Sequence, residues 1–238
     1  MTETANLGLP LVQAAQAQKH VSVNTALGRL DALTQIVIAS RSLTVPPQTA
    51  PQGTLFAVPE GATGLWAGQD GRLALWSGGG WEFVDPAGGW RGWIVDEGLT
   101  ALHDGTSWAP GAVAVSVGGA AVAFRVMEID HVVSAGTTSA TPPIVPQGGI
   151  VFGVTGRVLD ALGGSATSFR IGVEPGFADR YGSGIGTGAG AWFRGVTGTP
   201  VAYYTDTALT LSAEDGSFGG GGLVRIAVHL AELGLPRS

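Results

Sequence analysis

The segment from Glu174 to Thr207 gathers Asp179, Arg180, Tyr181, Trp192, Phe193, Arg194, Tyr203, Tyr204 and Asp206 among glycines. Rings beside charged groups on Gly-rich loops are the components of a carbohydrate-binding face. An aromatic face stacks on the apolar side of a pyranose, while carboxylates and guanidinium groups take bidentate contacts to hydroxyls. The same residues admit a structural reading, in which Tyr203 and Tyr204 lie on a strand with one ring buried and Trp192 plugs the end of a sandwich. A second aromatic cluster lies upstream, where six of the seven tryptophans fall at Trp66, Trp76, Trp81, Trp90, Trp93 and Trp108. Most of these rings are expected to fill the core that so small a module needs. Trp90 and Trp93, set among Gly88, Gly89, Arg91 and Gly92, are expected to be partly exposed and join the carbohydrate-binding candidates.

Catalytic motifs are thin, and the sequence assigns no catalytic residue. Gly182-Ser183-Gly184-Ile185-Gly186 sets a serine between glycines but lacks the strand-to-helix context of a nucleophile elbow, and reads as a loop. Gly184 to Gly188 and Gly219 to Gly222 resemble phosphate cradles only in glycine content, since no helix pattern follows and no lysine lies nearby. His20, His103, His131 and His229 stand in separate segments without metal-ligand spacing, so neither metal nor cofactor is expected. Asp85, Asp96 and Glu97 contain the groups of a glycosidase pair, but turn and surface roles fit them better.

A chain of 238 residues, 45% hydrophobic, can bury a sizeable core. Forty glycines, thirteen prolines, 13% charged residues and Lys19 as the single lysine favour short strands joined by tight turns. A net charge of −6 opposes nonspecific attraction to nucleic acid or to an anionic bilayer. There is no cysteine, so packing or oligomerisation must supply stability. No basic region followed by an apolar run opens the sequence and no segment is long and apolar enough to span a bilayer. The expectation is cytoplasmic synthesis without a signal peptide and no membrane insertion.

Three segments must position these residues. Residues 1–45 read as an extended peptide followed by a short helix over Asn24 to Val37, with Ala26, Leu27, Leu30, Leu33 and Val37 at helical spacing after the cap-type residues Ser22 to Thr25. That apolar stripe packs on its own domain or serves docking and oligomer formation. Pro46, Pro47 and Pro51 make Ser40 to Pro51 a stiff linker. Residues 53–110 form a small Trp-rich β-hairpin module with an internal repeat: Leu75 to Trp81 matches Leu102 to Trp108, each a strand entering a Gly turn and leaving through Trp. Gly111 to Ala121 reads as a connector. Residues 121–238 carry β-branched runs at Ala123 to Val133, Ile150 to Val158, Ser168 to Val173 and Leu223 to Leu230. They predict an antiparallel, jelly-roll-like β-sandwich, so the chain as a whole is mainly β.

The run Leu9-Pro10-Leu11-Val12-Gln13-Ala14-Ala15-Gln16-Ala17-Gln18-Lys19-His20-Val21, with Asn24, Ala26-Leu27 and Leu30 to Leu33, resembles the N-terminal signature of a domain-of-unknown-function family. That family is encoded in the structural gene clusters of alphaproteobacterial prophages and gene transfer agents. Gly88 to Trp93 and His103 to Trp108 are similar to the module that follows in it. Arg180 to Gly184, Tyr203-Tyr204 and Val228 to Leu233 resemble its longer members. The sequence departs from the family at Val21 to Thr25, where an acidic residue is expected early in the helix. The resemblance implies a noncatalytic head-spike or tail-fibre component on the exterior of a phage-like particle, attached to cell-surface or capsular polysaccharide. Its expected partners are capsid or tail proteins, another spike or fibre subunit and further copies of itself. Leu9, Pro10, Leu11, Gln16, Gln18, Lys19, Leu27 and Leu30 are the candidate docking residues. A structural adaptor and a polysaccharide depolymerase are the alternatives, the latter opposed by the lack of a convincing carboxylate pair and of β-helix repeats.

Overall fold

The computed structural model describes residues 2–13 and 19–237. The chain divides into two units, Met1–Ala121 with Pro236–Ser238, and Val122–Leu235.

In the first unit, helix α1 (Lys19–Thr34) leads into strand β1 (Ile36–Ile38). The helix begins before Asn24 and ends before Val37, so Ser22 to Thr25 lie inside it rather than capping it, and its first turn holds no acidic residue. Val37 is an exposed strand residue between the buried Ile36 and Ile38, because three β-branched side chains suit a pleat better than a helix. The remaining strands are β2 (Leu55–Ala57), β3 (Leu73–Ser77), β4 (Gly80–Val84), β5 (Arg91–Ile94), β6 (Leu99–His103), β7 (Trp108–Pro110) and β8 (Ala112–Val115). Strands β1 to β7 form one sheet in the order β4-β3-β2-β1-β5-β6-β7. Strand β1 is parallel to both neighbours, with Ile38 opposite Leu55 and Ile94. Parallel neighbours need a long crossover, and the proline-rich stretch 40–51 lies within the one that joins β1 to β2.

The internal repeat folds as two hairpins, β3–β4 and β6–β7, on opposite sides of β1. In the first, Trp76 faces Trp81 across the strands at 4.8 Å between ring centroids; in the second, His103 faces Trp108 at 5.1 Å. Trp66 is fully buried and packs against Phe56 at 5.4 Å and Trp81 at 5.1 Å, making the aromatic core this module needs.

The N-terminal peptide is not free along its described length. Glu3 and Pro10 form a bridge, and the Asp31 carboxylate accepts hydrogen bonds from the Thr4 hydroxyl at 2.6 Å, Asn6 N at 2.9 Å and Leu7 N at 2.6 Å. Asn24 holds Val12 as a strand partner would, its side chain accepting from Val12 N at 2.8 Å and donating to Val12 O at 3.0 Å.

The second unit contains β9 (Ala121–Val132), β10 (Thr138–Val145), β11 (Ile150–Asp160), β12 (Ser168–Val173), β13 (Phe177–Gly186), β14 (Trp192–Ala202), β15 (Thr207–Ala213) and β16 (Leu223–Gly234). Its two sheets run β9-β16-β11-β14 and β10-β15-β12-β13. The pairings nest: β9 with β16, β10 with β15, β11 with β14, β12 with β13. That order defines an eight-stranded jelly roll. Val151, Val154, Val158, Phe169, Ile171, Leu209, Leu211, Val224, Ile226 and Val228 fill the space between the sheets.

Two expectations change here, and one strand carries unexpected residues. Residues 174–207, expected as loops, contain the whole of β13 and β14, and Gly182 to Gly186 is strand rather than loop. Glycine is compatible with these strands because their backbones approach closely: a Cβ on Gly195 would collide with the Tyr181 carbonyl. Residues 112–115 of the expected connector form β8. Pro142 and Pro143 lie within β10, an edge strand where a missing N–H is tolerated, and the pairing register shifts around Pro143.

Replacing Asp31 with Ala leaves three donors without their acceptor and is expected to destabilise the first unit by about 3 kcal/mol. Partial desolvation raises the Asp31 pKa, but the hydrogen bonds from Thr4, Leu7 and Asn6 outweigh it and hold it below the usual carboxylate range. Its contribution is therefore present above the unfolded-state pKa and lost as pH falls through the folded one. Acid denaturation of wild type and variant should converge at low pH, which circular dichroism can follow. In the second unit, a Cβ at Gly156 would strike the Phe193 ring and lie 2.7 Å from the Arg225 carbonyl. Gly156→Ala is expected to cost roughly 1–3 kcal/mol in denaturant unfolding.

Candidate functional site

The outer face of the β9-β16-β11-β14 sheet carries an open groove of about 450 Å³. Gly156 lies opposite Phe193 in the register of β11 and β14, and Phe193 is buried. Side chains alternate along a strand, so Trp192 and Arg194 on either side of Phe193 point outward. Arg157 lies opposite Trp192 on one side and Arg225 on the other, and Thr155 opposite Arg194 and Ala227. Two cross-strand rows result, Trp192–Arg157–Arg225 and Arg194–Thr155–Ala227. Glu128 completes the lining.

Charges in the groove are unevenly compensated. Arg225 donates from Nε and Nη2 to the two Asp130 oxygens, each at 2.7 Å, with Glu128 3.7 Å from its Nε. This hydrogen-bonded pair holds the Asp130 carboxyl below its ordinary range and raises the Arg225 guanidinium. Among the described residues, neither Arg157 nor Arg194 forms an ion pair. Trp192 is 63% exposed. His229 Nε2 lies 3.0 Å from the Thr155 hydroxyl.

Of the carbohydrate-binding candidates, the structure brings Trp192 and Arg194 together in this groove. Asp179 and Arg180 lie on β13, in the other sheet, with the Arg180 guanidinium 3.9 Å over the Phe177 ring. Tyr181 and Tyr203 are buried in the core with their hydroxyls 2.7 Å apart, so these rings face no ligand. Burial, then the hydrogen bond to Tyr203, raises the Tyr181 pKa. Tyr204 is exposed, and Asp206 accepts a hydrogen bond from Gln147 N at 2.8 Å, stapling a loop. In the first unit Trp93 is exposed, whereas Trp90 is half-buried against the core.

Among the docking candidates, Leu9 and Leu11 are half-buried and Pro10 is exposed. Leu27 is half-buried and Leu30 exposed on α1; Lys19 opens that helix, and Gln16 and Gln18 lie outside the described residues. The carboxylates weighed as a pair hold surface contacts instead: Asp85 binds Arg72 in two-pronged fashion at 2.6 and 2.8 Å, and Glu97 lies 2.6 Å from Arg41.

Sequence reading missed Thr155, Arg157 and Arg225. The signal was present, since all three occupy outward positions within runs recognised as strands.

The fold and groove define a mainly β chain whose second unit is a jelly-roll sandwich with a basic, aromatic outer face. Residues 23–109 match the family model described as "Protein of unknown function (DUF2793)". No curated protein matches the chain. A solved structure described as "Cyanophage Pam1 capsid asymmetric unit" is similar at 24% identity over 47% of this chain and 84% of its own, with a TM-score of 0.35. No helix among the described residues is long and apolar enough to cross a membrane.

His131 is buried, with Nε2 2.8 Å from the Ser139 hydroxyl, and burial lowers its pKa. The unfolded chain therefore binds this proton more readily, and the second unit should lose stability as pH falls below about 6.5. Thermal unfolding of wild type and His131→Asn between pH 7.5 and 5.5 checks this. The variant should show a shallower decline, with the remainder arising in part from the buried His103 of the first unit.

Proposed function

We propose that the chain is a noncatalytic structural and adhesion component, a head spike or fibre, of a phage-like particle or gene transfer agent, and that it attaches to cell-surface or capsular polysaccharide. The observation that carries this reading is the open groove, in which the largely exposed Trp192 ring stands beside arginines and the Thr155 hydroxyl. A ring with neighbouring hydrogen-bonding groups can stack on a sugar and grip its hydroxyls. The groove lies on sheet strands rather than loops, which fixes the spacing of its side chains. Jelly rolls recur in capsid and lectin domains, a likeness at the level of fold alone.

Docking falls to the first unit. Its helix leaves Val21, Val23 and Leu30 exposed beside the N-terminal loop. Such exposed apolar side chains suit contact with a capsid or tail protein, or with another copy of the chain. Many copies on one particle convert weak single-site binding into firm attachment.

A second reading has a specific observation behind it. Phe124, Val126 and Val196 of the groove's sheet are also exposed, as an adaptor that seats another spike or fibre subunit would require.

The test is retention of the full-length protein, as monomer and as multimer, on capsulated cells and on capsule-free controls. Capsule-dependent retention that is strong only for the multimer, and that drops roughly tenfold with Trp192→Ala, is the expected result. Retention without dependence on capsule or on Trp192 would leave the adaptor reading standing in its place.

A further inference from the structure

The groove's charge specifies what kind of glycan it takes. Three of the chain's twelve basic residues, Arg157, Arg194 and Arg225, lie along it, although the chain as a whole carries a net charge of −6. Directly opposed like charges on neighbouring strands are destabilising, yet Arg157 stands opposite Arg225. Asp130 relieves that repulsion only in part, because it occupies the Arg225 fork and leaves Arg157 unpaired. Arg194, diagonal to Arg157 across β11 and β14, is unpaired too. Diagonal neighbours on one sheet face lie about 7–8 Å apart, so two long guanidinium side chains can converge on one anionic group.

We propose that the groove binds an acidic saccharide, with Arg157 and Arg194 gripping a carboxylate on the sugar while Trp192 stacks on its ring. This rests on the adhesion reading above and narrows it to one glycan class. A planar guanidinium matches a carboxylate through two parallel hydrogen bonds, a fit that neutral hydroxyls cannot reproduce. Glu128, on the far side of Arg225, sets an upper limit on how far negative charge extends along the groove. It also supplies an acceptor for a sugar hydroxyl. A sugar acid with one carboxylate per residue therefore fits better than a polyanion of higher charge density.

The groove is walled by Trp192, and the small side chain of Ala227, opposite Thr155, leaves room for a ring. Nucleic acid also joins rings to anions. Its dense phosphate charge, however, would be repelled by Glu128 and by the chain's overall negative charge.

The experiment measures binding of the full-length protein to immobilised polygalacturonate, dextran sulfate, neutral dextran and single-stranded oligothymidine at two salt concentrations. The variants are Arg157→Gln, Arg194→Gln, the double variant and Trp192→Ala, all outer-face substitutions whose folding is checked by circular dichroism. The expected result is preference for polygalacturonate, a loss of roughly tenfold for each arginine, and a further loss with Trp192→Ala. Preference for dextran sulfate with the same arginine dependence would overturn the carboxylate assignment. Equal binding of oligothymidine would overturn the saccharide assignment in favour of general anion capture. Neutral dextran bound as well as polygalacturonate, sensitive to Trp192→Ala but not to the arginine variants, would overturn the acidic class and leave glycan adhesion intact. No binding to any polysaccharide would overturn both.

Discussion

The outer face of the sandwich depends on one steric fact: Gly156 has no Cβ, and the Phe193 ring occupies the space where one would lie. That contact fixes the register of β11 against β14. With Phe193 inward, strand alternation forces Trp192 and Arg194 outward and sets Arg157 and Thr155 beside them. A slip of one residue would bury the two polar-faced side chains and expose the phenylalanine, at a cost the core would not tolerate. The groove is thus a by-product of core packing, and its precision is inherited from the interior. The nested strand order adds to this, since β11 is held on its other side by β16, which brings Arg225 to the same row.

Asp31 performs a comparable task in the first unit. One carboxylate organises the turn of residues 4–9, and Asn24 continues the hold at Val12. Polar side chains on the helix thereby do what a β-strand neighbour would otherwise do for a peptide with few apolar residues. The result is a defined surface along the described N-terminal residues, bordering the helix. Strand β1 ties that surface to the sheet, because it follows the helix directly and lies between the two tryptophan hairpins.

Much of this architecture was legible in the residues. The sandwich strands appeared as β-branched runs, and the hairpin repeat appeared as two Gly turns each leaving through Trp. Strands β13 and β14 were hidden by their glycines, which suggest loops until the neighbouring backbone is known to pass within contact distance. Strand β10 was hidden by Pro142 and Pro143, whose tolerance depends on an edge position that no local pattern reveals. Only half of the groove was readable. Trp192 and Arg194 stood out by type, whereas Arg157 and Arg225 became partners through register, a property of pairing rather than of spacing. Tyr181 and Tyr203 looked like ligand-facing rings because sequence cannot show that two hydroxyls meet inside a core.

That meeting has a consequence for how the protein can be observed. The chain has three tyrosines. Tyr204 stands in solvent, while burial, then the hydrogen bond to Tyr203, raises the Tyr181 pKa. In alkali, burial opposes the ultraviolet signal of phenolate formation from Tyr181 while the two sheets stay packed, and their parting relieves that opposition. The protein therefore carries an unlabelled optical gauge of the integrity of its jelly roll, set within the layer beneath the surface proposed to hold sugar.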